Sequence, residues 1–281
     1  MDLEENGKYL ENEKKPLEII EKAIIKRYRK QLWSKFIKAV KEFELIKEND
    51  KIAVAISGGK DSLLMAKMFQ ELKKNGDDNF HLEFIAMDPG YSKQASLQLK
   101  ENCKYLNIPI NYFETDIFPV ANKTASEYPC YICARMRRGA LYTKAEETGC
   151  NKLALGHHFD DVIETIMLNL LCAGNYKTMI PKLKSDNFEN IEIIRPLYFI
   201  EESSIINWIK YSGINPLNCA CSVTAKKTGS KREEIKELIK SLEKSFKNVK
   251  QSIFKSSYNV NLDRVISYEK NGKKFSFLDD Y

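Results

Sequence analysis

An apolar run, KIAVAI at residues 51–56, leads straight into Ser57-Gly58-Gly59-Lys60-Asp61-Ser62 and then into a helical pattern over residues 61–74. The run reads as a short buried strand, and Leu63, Leu64, Ala66, Met68, Phe69 and Leu72 supply the apolar positions of the helix. Strand, glycine turn and helix in that order constrain the rest of the chain, because a parallel partner strand must return through a crossover. The chain keeps the alternation. Strands are predicted over residues 82–87, 108–113, 152–155 and 191–194, and helices over 93–105, 135–147, 160–171 and 201–211. This is the pattern of an α/β fold, a parallel sheet with helices on both faces. Ligands in such folds sit at the carboxyl ends of the strands.

The flanks read differently. Residues 1–15 are polar. Over residues 16–43 the spacing of Ile19, Ile20, Ala23, Ile24, Tyr28, Leu32, Phe36 and Val40 predicts one helix, whose other face carries Lys26, Arg27, Arg29, Lys30, Lys35 and Lys38. That basic face is either solvated or set against RNA. Residues 231–246 form a last amphipathic helix, and residues 265–268 and 274–278 flank Asn271-Gly272 as a hairpin would. The expected organisation is an N-terminal helical region (1–47), an α/β domain (48–215) and a C-terminal extension (216–281). A net charge of +6 on 281 residues permits a polyanion partner without requiring one. The N-terminus has no apolar signal segment and no run approaches a membrane span, so a cytoplasmic protein is expected.

The glycine loop has the parts of an anion site. Gly58 and Gly59 let the backbone turn tightly, Ser57 and Ser62 add hydroxyls, the helix N-terminus adds the positive end of its dipole, and Lys60 adds a point charge. It is neither the Walker loop nor the dinucleotide fingerprint. Asp61 would repel phosphate unless a cation lay between them, so it reads as a magnesium ligand or a group near the reacting centre. A second loop, Gly156-His157-His158-Phe159-Asp160-Asp161, comes after the fourth strand, where its glycine allows a turn beside the first loop and its carboxylates could hold magnesium or contact ATP. Adjacent histidines rarely share one metal, which makes zinc the weaker reading there.

Seven cysteines in a chain of this kind suggest metal binding or catalysis before disulfides. Cys130 and Cys133 form a C-x-x-C at the start of a helix, next to Arg135, Arg137 and Arg138, where thiolates are favoured. The pair alone fits half a zinc site, a redox pair or two ligands of an iron–sulfur cluster. There is no second C-x-x-C. Cys103, Cys150 and Cys172 read as core packing, whereas Cys219 and Cys221 lie in a loop where one of them could supply a third ligand.

SGGKDS after a first strand resembles the pyrophosphate-loop (PP-loop) signature of the adenine-nucleotide alpha-hydrolase-like enzymes. That resemblance implies cleavage of ATP between its α and β phosphates, adenylation of a carbonyl oxygen, and adenine held near Met87 at the end of the second strand. The order of motifs resembles more narrowly the iron–sulfur-dependent tRNA 2-thiolation enzymes of the 2-thiocytidine synthetase (TtcA) group. SGGKDS, C-x-x-C with R-x-R-R-G, GHHxDD with Glu164-Thr165, then Ile194-Arg195-Pro196-Leu197 and a late cysteine occur in family order over about residues 18–235.

The resemblance implies Ser57, Gly58, Gly59, Lys60, Asp61, Ser62, Met87, Gly156, His157 and Asp161 as nucleotide-binding residues, with Asp61, Arg137 and Asp161 catalytic. It implies Cys130, Cys133 and either Cys219 or Cys221 as ligands of a [4Fe-4S] cluster. ATP, magnesium (Mg2+) and that cluster are the expected cofactors. The expected partners are tRNA and a sulfur donor, either sulfide or a cysteine desulfurase, with no membrane and with a homodimer as the usual state. The expected reaction is sulfur insertion at C2 of a tRNA cytidine through an adenylated oxygen. Two rivals remain: a cluster-free adenylating enzyme of the same fold, such as a lysidine synthetase or an amidotransferase, and a nucleotide-binding sulfur carrier without turnover.

Overall fold

The computed structural model describes residues 13–76, 79–124, 129–185, 188, 190–217 and 231–281, and within these the side chains of 121–124, 129–131 and Asp280 are left out. Cys219 and Cys221 lie outside the described residues, as does the side chain of Cys130. The chain forms two compact units, residues 1–161 with 180–229, and residues 162–179 with 230–281.

The first unit is built on a sheet of β1 (Lys51–Ile56), β2 (His81–Asp88), β3 (Ile110–Glu114), β4 (Lys152–Ala154), β5 (Lys182–Lys184) and β6 (Glu192–Ile194), in the order β3-β2-β1-β4-β6-β5. All neighbours run parallel except β5, which pairs antiparallel with β6. The predicted parallel sheet is present. The β5 edge was not predicted, since three residues with two lysines carry no readable period. Strand order reverses between β1 and β4, and that reversal opens a crevice at their carboxyl ends.

Side chains alternate across the sheet. Ala53, Ile85, Leu153, Leu155 and Ile193 face one layer and pack with Leu141, Tyr142 and Ala145. Those three belong to α6 (Pro129–Glu147), which runs from the carboxyl ends of the strands back toward β4. Pro129 opens α6, six residues before the predicted start at 135, in the first helical turn where proline is well tolerated. The other helices of the alternation are α3 (Lys60–Asn75), α4 (Lys93–Tyr105), α7 (Phe159–Cys172) and α8 (Glu202–Ser212), close to expectation. A short α5 (Ile117–Thr124) was not foreseen.

The N-terminal segment departs from its single predicted helix. It forms α1 (Leu17–Ile25), a π-helical stretch Arg29–Trp33 and α2 (Ser34–Glu42). Tyr28 N–H reaches back to Ala23 O at 2.8 Å, a five-residue step. One extra residue in a turn rotates the next helix by about 100°. Ile20, Ile24, Leu32 and Phe36 are all buried as a result. Lys67 of α3 is also buried and ties this layer down, donating to Glu21 Oε1 at 2.5 Å and Leu106 O at 2.9 Å.

In the second unit, α9 (Lys231–Ser245) matches the prediction, while α10 (Val249–Ser256) was not predicted. Arg232 Nε donates to Glu164 Oε2 at 2.7 Å, joining α9 to α7. The predicted hairpin is β7 (Ser267–Lys270) and β8 (Lys273–Ser276). Asn271 and Gly272 hold φ of 52° and 73°, as a tight two-residue turn requires. No described helix is long and apolar enough to cross a membrane.

Candidate active site

The loop after β1 fits its strand and helix through glycine. Gly58 sits at φ +80°, and Gly59, the residue before α3, is extended with no side chain capping the helix. The first amides of α3 therefore lack intrahelical acceptors and point out of the helix start. Ser62 Oγ donates to Gly59 O at 2.9 Å and accepts from Ser57 N at 3.2 Å, which closes the loop on itself.

The second loop lies against the first. A Cβ on Gly156 would stand 3.4 Å from Asp61 Cβ and from Ser62 N, in van der Waals contact, so the two loops pack directly on each other. His158 is buried, and its Nε2 is 3.8 Å from Asp61 Oδ1. Its backbone amide donates to Asp161 Oδ2 at 3.0 Å, and its Nδ1 accepts from the Asp161 amide at 3.4 Å. The histidine facing Asp61 is thus His158, which sequence reading weighed only as a zinc ligand. Its neighbour His157, chosen for nucleotide binding, is half-buried.

Lys60 bridges two carboxylates, 3.1 Å from Asp61 Oδ2 and 3.0 Å from Glu202 Oε1. Burial alone would lower the Lys60 pKa, but Asp61 and Glu202 outweigh it and raise it, so the ammonium stays charged. Burial raises the Asp61 carboxyl above its ordinary value against the pull of Lys60 and His158. One cation serving two anions gains more than either anion does. Asp61 Oδ1 is buried and accepts no hydrogen bond. A buried carboxylate oxygen without a donor, aimed between two glycine loops, fits a metal cation or a substrate hydrogen. Glu202 was not foreseen. Its amide donates to Asp160 Oδ2 at 2.7 Å, so Asp160 fixes the start of α8 and with it the position of Glu202.

Cys133 and Arg137 both belong to α6. Cys133 is buried with Met87 and Ile117, flanked by Phe113, Phe118 and Met136, so the predicted cluster thiol and the predicted adenine residue pack in one apolar cluster at the carboxyl end of β2. Cys130 lies three residues earlier on α6. Arg137 Nε is buried without a hydrogen-bond partner. Cys103 and Cys150 are core thiols as expected, with burial pushing Cys103 up to about 12. Cys172 is exposed rather than packed, at the end of α7 beside exposed Leu170 and Leu171. Among the described residues no three histidine, cysteine or acidic side chains gather as a ready metal site.

Two further supports converge on the nucleotide loop. Leu217 N–H donates to Gly58 O at 2.9 Å, and the segment before it is held by Gln98 and Asn102, which donate to Asn215 O at 2.9 and 2.7 Å. Leu217 is two residues before Cys219 in sequence. The turn after β2 is organised by Asp88, which accepts from Ser96 Oγ at 2.5 Å, Tyr91 N at 2.6 Å, Gly90 N at 2.9 Å and Tyr112 OH. An Asp-Pro-Gly sequence is the turn signal that could have revealed this role. Of the basic N-terminal residues, Lys35 pairs with Glu201 at 2.9 Å and Arg27 stacks on Tyr211, while Lys26, Arg29 and Lys30 are exposed.

Comparison with known proteins agrees with this layout. The PP-loop domain family matches residues 28–218. A tRNA-cytidine(32) 2-sulfurtransferase of Geobacter metallireducens is 38% identical over 250 residues, covering 87% of this chain and 95% of that protein. One from Pelobacter propionicus is 37% identical over 238 residues, covering 84% and 87%. Among solved structures, the U34-tRNA thiolase NcsA from Methanococcus maripaludis with its [4Fe-4S] cluster matches with a TM-score of 0.67 at 25% identity, over 85% of this chain and 78% of that one. The two loops that meet at the β1/β4 crevice are therefore those of a PP-loop protein, and this chain belongs to that family, within its tRNA-cytidine(32) 2-sulfurtransferase group.

Proposed function

We propose that this chain is an ATP-dependent tRNA sulfurtransferase that replaces the C2 oxygen of a cytidine, at position 32 as in its relatives, with sulfur. The observation that carries the reading is a juxtaposition. The glycine loop with its open Asp61 oxygen, and the Cys133–Met87 cluster next to α6, which also carries Arg137, lie at the same carboxyl edge of one sheet.

ATP binds with its β and γ phosphates on Ser57–Ser62, where the α3 amides and Lys60 stabilise the pyrophosphate that departs. Asp61, whose Oδ1 has no donor, and Asp161 would hold magnesium, which would offset the phosphate charge. Glu202 and Asp160 keep Lys60 in place. Arg137 donates its Nε–H to the charge that builds on the α-phosphate. The oxygen of the base attacks that phosphate, the α–β bond breaks, and pyrophosphate leaves. Sulfur then displaces AMP at C2, so the base oxygen departs in AMP.

Cys130 and Cys133, three residues apart on α6, with Cys219 or Cys221 as a third thiolate, would be the donor set of a [4Fe-4S] cluster. When bound, that cluster would supply an iron at which the sulfide nucleophile is held. Sulfide or a cysteine desulfurase supplies the sulfur, the protein works in the cytoplasm, and it acts as a homodimer. The test is Cys133→Ser, purified without oxygen. Loss of bound iron and of 2-thiocytidine formation with ATP affinity kept is expected, and full thiolation in that variant overturns the cluster role.

A further inference from the structure

Strand alternation sets Arg195, just past β6, on the same face as Ile191 and Ile193, which pack with Leu141 and Tyr142 of α6. Arg195 is 8% exposed. Its Nη1 donates to Ile180 O, and its Nε is buried without a partner. No described carboxylate acts on it. Burial lowers its pKa, Tyr142 and Tyr198 partly offset this, and Arg138 of α6 lowers it further. Arg138 itself is exposed. A guanidinium taken out of water without a counter-ion is unfavourable, and a second cation beside it makes it more so. Such a pair is completed by an anion whose oxygens match the planar fork, as phosphate does.

We propose that Arg195 and Arg138 bind a backbone phosphate of the RNA, setting its register over the carboxyl edge of the sheet. This deepens the tRNA reading above and rests on it. The phosphates of ATP are the other source of that chemistry, but they are served at the start of α3. In the strand order, β6 stands two strands from β1, about 10 Å away. Ile180 O holds one end of the guanidinium, and its Nε–H is left without an acceptor.

The experiment measures tRNA affinity against salt, and ATP affinity separately, for the full chain and for Arg195→Gln, Arg195→Lys and Arg138→Gln. Arg195→Gln should weaken tRNA binding about tenfold or more, and the slope of log affinity against log salt should fall by about one. ATP affinity should be unchanged. Arg195→Lys keeps the charge and loses the fork, so its slope stays at the wild-type value while its affinity falls in between. Arg138→Gln, at the surface, should lower the slope by about one with the fold intact, and it decides the matter if Arg195→Gln does not fold. Wild-type tRNA affinity and slope in both Gln variants beside a tRNA-binding wild type overturn this inference alone. A parallel fall in ATP affinity also overturns it, by assigning the pair to the nucleotide. A wild-type chain that binds no tRNA overturns this inference and the functional reading together.

Discussion

The amide of Leu217 donates to the carbonyl of Gly58 at 2.9 Å, and the Leu217 side chain fills the space a Cβ on Gly58 would need, 2.7 Å from Leu217 Cδ1. The stretch that leads to the late cysteines is thereby fastened to the nucleotide loop. Gly58→Ala meets both this contact and a φ of +80°. It should cost about 1–2 kcal/mol of stability and weaken ATP binding about tenfold or more. Gly59→Ala, extended and with nothing nearer than 3.4 Å, should fold like the wild type. Chemical denaturation with ATP calorimetry separates the two, and equal losses would count against the loop geometry.

Among the described residues, Asp61 Oδ1 is the buried carboxylate oxygen left without a donor. Asp61→Asn keeps its shape and removes the charge that a metal needs. Pyrophosphate release should fall about a hundredfold or more while the fold survives. Stopped assays of pyrophosphate over a magnesium titration check this, and a variant with wild-type turnover would remove Asp61 from the chemistry.

Asp88 and Tyr112 give a pH signature. Burial pushes Asp88 up, but hydrogen bonds from Ser96, Tyr112 and two amides outweigh it, and its pKa is lowered. Its contribution to stability is present above the ordinary 3.8 and is lost as pH falls through the lower native value. Burial, then Asp88, push Tyr112 up to about 12 from 10.0, so its contribution is present below 10 and is lost as pH rises through about 12. Ultraviolet titration, with Tyr112→Phe to identify the signal, should show this late phenol. Asp88→Asn should move it down toward 10.0.

Cys133 and Cys172 should respond oppositely to replacement. Cys133 is buried in the Met87 cluster, and Cys172 is exposed on α7. Cys172→Ser should keep iron, thiolation and thermal stability at wild-type levels. Iron loss in Cys172→Ser, measured after anaerobic purification beside Cys133→Ser, would place a cluster ligand on α7 instead of α6.

The central sheet and both glycine loops were legible because periods of two and about 3.6 change sharply at Ile56 and again near Leu155. The break at Arg29–Trp33 was not, since the spacing of Ile24, Leu32 and Phe36 suits one helix as well as two offset ones. His158 and Glu202 acquire their roles only through tertiary contact with Asp61 and Lys60, which no local pattern encodes. That no described carboxylate pairs with Arg195 is likewise visible only in the folded chain. Cys172 was misread because Leu170 and Leu171 suggest a core that the fold does not build there.

The most direct measurement tracks one oxygen atom. A tRNA carrying a heavy-oxygen label at O2 of the target cytidine is incubated anaerobically with the iron-loaded protein, ATP, magnesium and sulfide, and the products are analysed by mass spectrometry. Adenylation and then sulfur displacement predict 2-thiocytidine in the RNA and the label in AMP, in equal amounts. Thiolated RNA with unlabelled AMP, or ATP cleaved to ADP and phosphate, would contradict it.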